Sequence, residues 1–143
     1  MDKQSIILAA FSTTNDRNFS PVQIQKLLFL IDKNVGDKIG GPFFNFQPYD
    51  YGPFDSEIYT VLNQLTSEGL LETLETSRGW KLYKLTQAGS EKGRQRLSTL
   101  DKKFQTYFGE LANFVYSLSF SQLVSTIYKA YPEMKVNSVF REI

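Results

Sequence analysis

LNQLTSEGLLETLETSRGWKLYKLTQAG, residues 62–89, passes from helix to hairpin and back to helix, and every transition carries a local chemical signal. Leu62 and Leu65 continue the apolar face begun by Ile58, so the spacing predicts a helix capped by Asp55 or Ser56. Gly69 stands in the C′ position, where a left-handed residue closes a helix. Leu70–Leu74 and Trp80–Leu85 read as two strands, and Glu75 to Gly79 supply the Gly and small polar residues of a hairpin loop. Thr86 then caps the next helix, and Leu85-Thr86-Gln87-Ala88-Gly89 forms a helix-start signature.

Upstream, Ile6, Ile7, Ala10 and Phe11 recur at helical spacing over residues 3–12, and the polar run Ser12 to Asn18 ends that helix. Ser20-Pro21 starts a second helix, because Ser caps free N–H groups and Pro in the first turn forfeits no hydrogen bond. Ile24, Leu27, Leu28, Ile31 and Val35 give it one apolar stripe, and Phe29 and Leu30 widen that stripe into the signature of a central buried helix. Gly36, Gly40, Gly41 and Pro42 break the pattern. Phe44 and Phe46 alternate with polar neighbours as in a brief edge strand, and Pro48 and Pro53 are expected to force turns. Helix, helix, helix, two-stranded hairpin, helix is the element string of a winged helix-turn-helix. Residues 62–89 look like the third helix, the wing and the Leu-Thr-x-x-Gly step common among winged-helix families. The expected fold class is therefore mainly α (α+β), a winged helix-turn-helix with a two-stranded wing and a C-terminal helical extension.

Beyond the wing, a helix is expected from Gln87 to about Leu100, and another with Phe104, Tyr107, Phe108, Leu111, Phe114, Val115 and Leu118 on one broad face. A last short helix, capped by Ser119 or Ser121, shows Leu123, Val124, Ile127 and Tyr128. Residues 1–100 are thus read as the winged helix-turn-helix domain and 101–143 as an extension, in one compact unit. The extension either covers the first two helices or pairs two copies into a homodimer.

At 143 residues, 41% hydrophobic and 22% charged, the chain has the composition of one soluble domain. It has no Cys and no His, which removes disulfides, Cys/His zinc sites, thiol nucleophiles and His-dependent triads. No secretory signal and no apolar run of membrane-spanning length is visible, so the expected location is cytoplasmic, with no membrane partner. Asp50, Asp55 and Glu57 are a conceivable oxygen-only Mg²⁺ set, but capping and solvation account for them more simply. The expectation is a non-enzymatic protein with no catalytic residues, no metal and no cofactor.

The net charge of +1 conceals a polarised chain. Residues 54–76 hold five acids and no base, residues 77–103 hold eight bases against two acids, and the flanking segments balance. The third helix offers Thr60, Asn63, Gln64, Thr66 and Ser67 to base edges, but it has no cation, and Asp55, Glu57 and Glu68 repel a phosphate backbone. Nucleic-acid contacts are expected instead from Arg78, Lys81, Lys84, Lys92, Arg94 and Arg96 on the wing and the helix after it. The plain alternative is that these are solvated charges. Tyr49, Asp50, Tyr51, Phe54, Asp55 and Glu57 form a second candidate set, suited to a protein partner.

SPVQIQKLLFLID (20–32), FFNFQPYDYGPFDSEIYTVLNQLTSEGLLE (43–72) and LSFSQLVSTIYKAYPEMKVNSVF (118–140) together resemble a family of uncharacterised bacterial winged-helix proteins similar to YwgA. More distantly they are similar to the Panacea or SocA-like antitoxin domain, through Gln25-Lys26-Leu27-Leu28 and Tyr51-Gly52-Pro53. The antitoxin resemblance implies a non-enzymatic domain that neutralises a partner protein and sometimes represses its own operon. Two functions follow as expectations. One is a DNA-binding or regulatory protein of bacterial or phage origin acting on double-stranded DNA. The other is a protein-interaction module, antitoxin-like or a defence-system accessory, that meets a toxin or defence component through its acidic third helix and Tyr-Gly-Pro loop.

Overall fold

Asp2 starts the first helix, α1 (Lys3–Ser12), by accepting the Ser5 N–H at 2.8 Å. Ile6 through Phe11 are all buried, so α1 is apolar on every side and lies inside the protein. The computed structural model describes residues 1–14 and 16–140. α2 (Pro21–Val35) opens on a reciprocal capping box in which the Ser20 hydroxyl accepts from Gln23 N–H and the Gln23 amide accepts from Ser20 N–H. Burial is unbroken from Ile24 to Asp32, which takes Gln25, Lys26 and Asp32 inside together with Phe29 and Leu30.

Residues 36–54 depart from expectation. Phe44 and Phe46 lie in no strand; the Asp32 carboxylate holds the chain there by accepting the N–H groups of Phe43 (2.8 Å) and Phe44 (3.1 Å). The strands are instead β1 (Gln47–Tyr49) and β2 (Gly52–Phe54), paired antiparallel with Pro48 opposite Pro53. Both prolines therefore sit within strands rather than forcing turns. Alternate pairs of an antiparallel ladder exchange no hydrogen bonds, and the two prolines share one such position, where a missing N–H costs nothing. Gly52 closes the link between the strands at a φ of +103°.

α3 (Ser56–Ser67) ends as its sequence predicts. The Leu70 N–H reaches Leu65 C=O (2.9 Å) and the Gly69 N–H reaches Thr66 C=O (3.1 Å), with Gly69 at a φ of +76°. β3 (Leu71–Glu75) and β4 (Lys81–Leu85) form the expected hairpin. The free edge of β4 is also paired: Phe19 and Tyr83 exchange backbone hydrogen bonds of 2.9 and 2.8 Å, so the α1–α2 connection runs beside the hairpin as a one-residue third strand. α4 (Gln87–Ser98) begins at Thr86, whose hydroxyl donates to Gly69 C=O (2.6 Å) and accepts from Gly89 N–H (3.1 Å). One side chain thus ties the end of α3 to the start of α4. A Cβ on Gly93 would stand 2.5 Å from the Leu8 carbonyl oxygen, so α4 lies directly on the backbone of α1.

α5 (Lys102–Ser117) packs chiefly on α2. Its fully buried residues are Phe108, Ala112 and Val115, with Phe104, Tyr107 and Leu111 partly buried; Phe114, expected on the inner face, is exposed beside Tyr116. α6 (Phe120–Ala130) opens on a second capping box, Ser119 with Gln122, and buries the four residues its spacing predicts, Leu123, Val124, Ile127 and Tyr128. These residues join one apolar core with α1, α2 and α3. The described residues make a mainly helical α+β fold of six α-helices and two two-stranded antiparallel ribbons. No helix among them is long and apolar enough to cross a membrane.

Candidate functional site

The six candidate phosphate-binding residues fall into separate places. Lys81 lies opposite Glu75 and Lys84 opposite Glu72, and alternation along β4 sends the two lysines to opposite faces of the hairpin. Arg78 occupies the hairpin tip, with its guanidinium 5.8 Å from the centre of the Trp80 ring. Lys84 and Arg94 line one shallow depression together with Asp16, Glu72 and Ser90. On α4, Lys92 and Arg96 stand four residues apart on one side, and Arg94 is turned away from them by the 3.6-residue period. The six basic residues named from the sequence therefore fall into three smaller groups, and two of the lysines already face carboxylates.

The outer face of α3 forms a second shallow depression, lined by Thr60, Asn63, Gln64, Ser67 and Glu68 with no cation among them. At its start Glu57, one of the candidate partner-binding residues, forms an ion pair with Lys3 of α1.

The β1–β2 hairpin presents the other candidates. Tyr49 is 54% exposed and stacks on half-buried Phe54 at 5.0 Å, while Tyr51 is 43% exposed and meets Phe120 edge-on at 5.1 Å. The Asp50 side chain is exposed, but its carbonyl accepts from Val139 N–H (2.9 Å) and from the Ser138 hydroxyl (3.2 Å). Asn137 donates to Pro48 C=O at 3.2 Å, so residues 137–139 form a strap across the hairpin.

Asp55 does not belong to that surface. It is 7% exposed, and its two carboxylate oxygens accept from Glu57 N–H and Asn45 N–H, both at 2.9 Å. The Gln25 amide holds the Asp55 backbone at both ends, accepting from its N–H and donating to its C=O at 3.0 Å each. Asp55 is a cap and a tie between α3 and the loop before β1, which also removes it from any oxygen-only cation set with Asp50 and Glu57. Among the described residues no three carboxylates gather. Asp55→Ala should lower stability by about 2 kcal/mol, the loss of a cap plus one buried hydrogen bond, measured by urea unfolding.

Two residues of interest escaped the sequence reading. Lys26 is 3% exposed, with its ammonium donating to Pro53 C=O at 3.3 Å, and among the described residues no carboxylate lies within ion-pairing distance of it. Burial pushes its pKa down to about 8. Its position among Ile24, Leu27 and Leu28 on a widened apolar face was the available signal. Trp80, at 65%, is far more exposed than an aromatic residue needs to be to pack, and the signal for it was its place beside Gly79 in the hairpin turn. No protein-family model matches the chain, and no curated protein matches it.

Proposed function

We propose that the chain is a non-enzymatic winged helix-turn-helix protein that binds double-stranded DNA and acts in regulation, with β3–β4 as its wing. The observation that carries this reading is the pairing of Phe19 with Tyr83, which sets the β3–β4 hairpin beside the α1–α2 connection. The resemblance to winged-helix proteins similar to YwgA agrees with that order of elements. Phosphate contacts come from Arg78 at the wing tip and from Lys92 and Arg96 on α4. Lys81 and Lys84, opposite glutamates, contribute less, and Arg94 shares its depression with Asp16 and Glu72. Three such contacts correspond to a slope of about −3 in log affinity against log salt, shallow for a duplex-binding protein.

Fluorescence anisotropy of a labelled duplex, random and from the chain's own upstream region, titrated across salt, tests this. The combined change of Lys92, Arg94 and Arg96 to Glu should weaken binding more than about tenfold while leaving the helical circular dichroism unchanged. Absence of binding at low salt would sink the reading.

A second reading draws on Tyr49 and Tyr51, two exposed tyrosines on a hairpin held in place by the 137–139 strap. In it, this rigid aromatic surface docks a protein partner, such as a toxin or a defence component, as the antitoxin resemblance implies. Capture of one specific partner that is lost on Tyr49→Ala and Tyr51→Ala supports it.

A further inference from the structure

Trp80 is the chain's one tryptophan, and its backbone is fixed on both sides by Thr76. The Thr76 N–H donates to Trp80 C=O at 2.8 Å, and the Trp80 N–H donates to the Thr76 hydroxyl at 3.1 Å. Gly79, at a φ of +80°, makes the tight reversal that Thr76 and Trp80 close. The indole is thus presented on a pre-ordered turn rather than on a loose loop. Arg78 lies over its ring, and the turn from Thr76 to Trp80 contains no carboxylate, the nearest in sequence being Glu75, which lies opposite Lys81. An aromatic plane with a guanidinium against it is the combination that receives a nucleobase and its phosphate.

Away from its ends, an intact duplex offers such a plane only base edges, because the faces of its bases are already stacked on one another. The outer face of α3 brings no cation with which to enter a major groove. Resting on the DNA-binding reading above, we propose that the β3–β4 tip is a base-stacking platform, so that the DNA this protein prefers carries unpaired bases beside duplex, as at a fork or a single-strand junction. Trp80 stacks on the first unpaired base, Arg78 covers the outer side of the indole and neutralises the adjoining phosphate, and the α4 cations hold the duplex side.

The single tryptophan makes the test direct. Blunt duplex long enough that its two ends are a negligible share of the sites, single strand, and forked DNA of the same sequence are each titrated at low salt, following both the intrinsic emission of Trp80 and the anisotropy of an end label. The expected result is fork affinity at least about tenfold above blunt duplex, with quenching of Trp80 on fork and single strand. Trp80→Ala, at an exposed position that does not threaten the fold, should abolish the preference and leave duplex affinity unchanged, and Trp80→Phe should retain part of it. Equal affinity for fork and blunt duplex, or binding without quenching, overturns the stacking platform and leaves duplex binding standing. No binding to any of the three overturns the DNA-binding reading itself, and the platform with it.

Discussion

A Lys26→Met chain is expected to be more stable than the natural one at pH 7, by about 2 kcal/mol. The depressed lysine pKa, about 8 against an ordinary 10.5, corresponds to about 3 kcal/mol of unfavourable charge burial. Loss of the bond to Pro53 C=O returns about 1 kcal/mol of that. The pH dependence separates this cause from better packing. Below pH 8 Lys26 is protonated in both folded and unfolded chains, and the penalty is constant. Between pH 8 and 10.5 the unfolded chain holds a proton that the folded one has released, so the natural protein gains stability with rising pH. The methionine variant has no such gain, and the gap between the two closes. Tyr59, Tyr83, Tyr128 and Tyr131, whose phenols burial pushes up, act in the opposite sense near pH 10, but equally in both chains. Urea unfolding of the pair at pH 7 and pH 9.5 is the measurement. A gap that stays constant with pH would show that the ammonium is not desolvated in the folded protein.

Gly89→Ala is expected to destabilise by about 3 kcal/mol, against the local preference of a helix for alanine. The new Cβ would stand 1.9 Å from the Leu70 carbonyl oxygen and 2.8 Å from its carbon. That carbonyl cannot retreat, because it accepts the Thr86 N–H at 3.2 Å while the Leu70 N–H is bonded to Leu65. Gly93→Ala should cost less, since its Cβ meets the Leu8 oxygen at 2.5 Å. Gly109→Ala is the control: it also lies within a helix, but its Cβ would meet nothing closer than Thr13 at 4.0 Å, and the change should stabilise by about 0.5 to 1 kcal/mol. Unfolding curves of the three variants decide the matter. A Gly89→Ala protein as stable as the control would mean that α4 does not pack onto Leu70 as described.

What the residues disclosed in advance is what their own neighbours determine. Ser20, Asp55, Thr86 and Ser119 each cap a helix through a bond spanning two or three residues, and Gly69 ends one within its own turn, so those boundaries were readable. The burial of Lys26 was not, because it depends on Pro53, 27 residues further on. Asp55 looked like a surface acid because its partners, Gln25 and Asn45, lie on other segments. Pro48 and Pro53 looked like breakers because their compatibility with a ladder exists only when they face each other. The Phe19–Tyr83 pairing involves one residue on the α1 side, too short a strand to leave an alternating pattern. The basic residues could be counted in advance but not placed: a run along the chain becomes one patch only if its spacing follows the period of the element that carries it, and here a strand, a turn and a helix divide it.

The strap across the β1–β2 hairpin has a consequence for the order in which the molecule is made. Synthesis delivers Pro48 and Asp50 long before the groups that bind them, since Asn137 and Ser138 follow by 89 and 88 residues. A chain emerging from the ribosome therefore carries the β1–β2 hairpin without its strap until residues 137–139 have emerged, and during that interval the backbone carbonyls of Pro48 and Asp50 are open to other chains. A partner or chaperone encountered co-translationally meets a different surface from the one the finished protein presents. Pausing or truncation upstream of Asn137 should leave a chain whose main helices are folded and whose hairpin exchanges its amide protons freely.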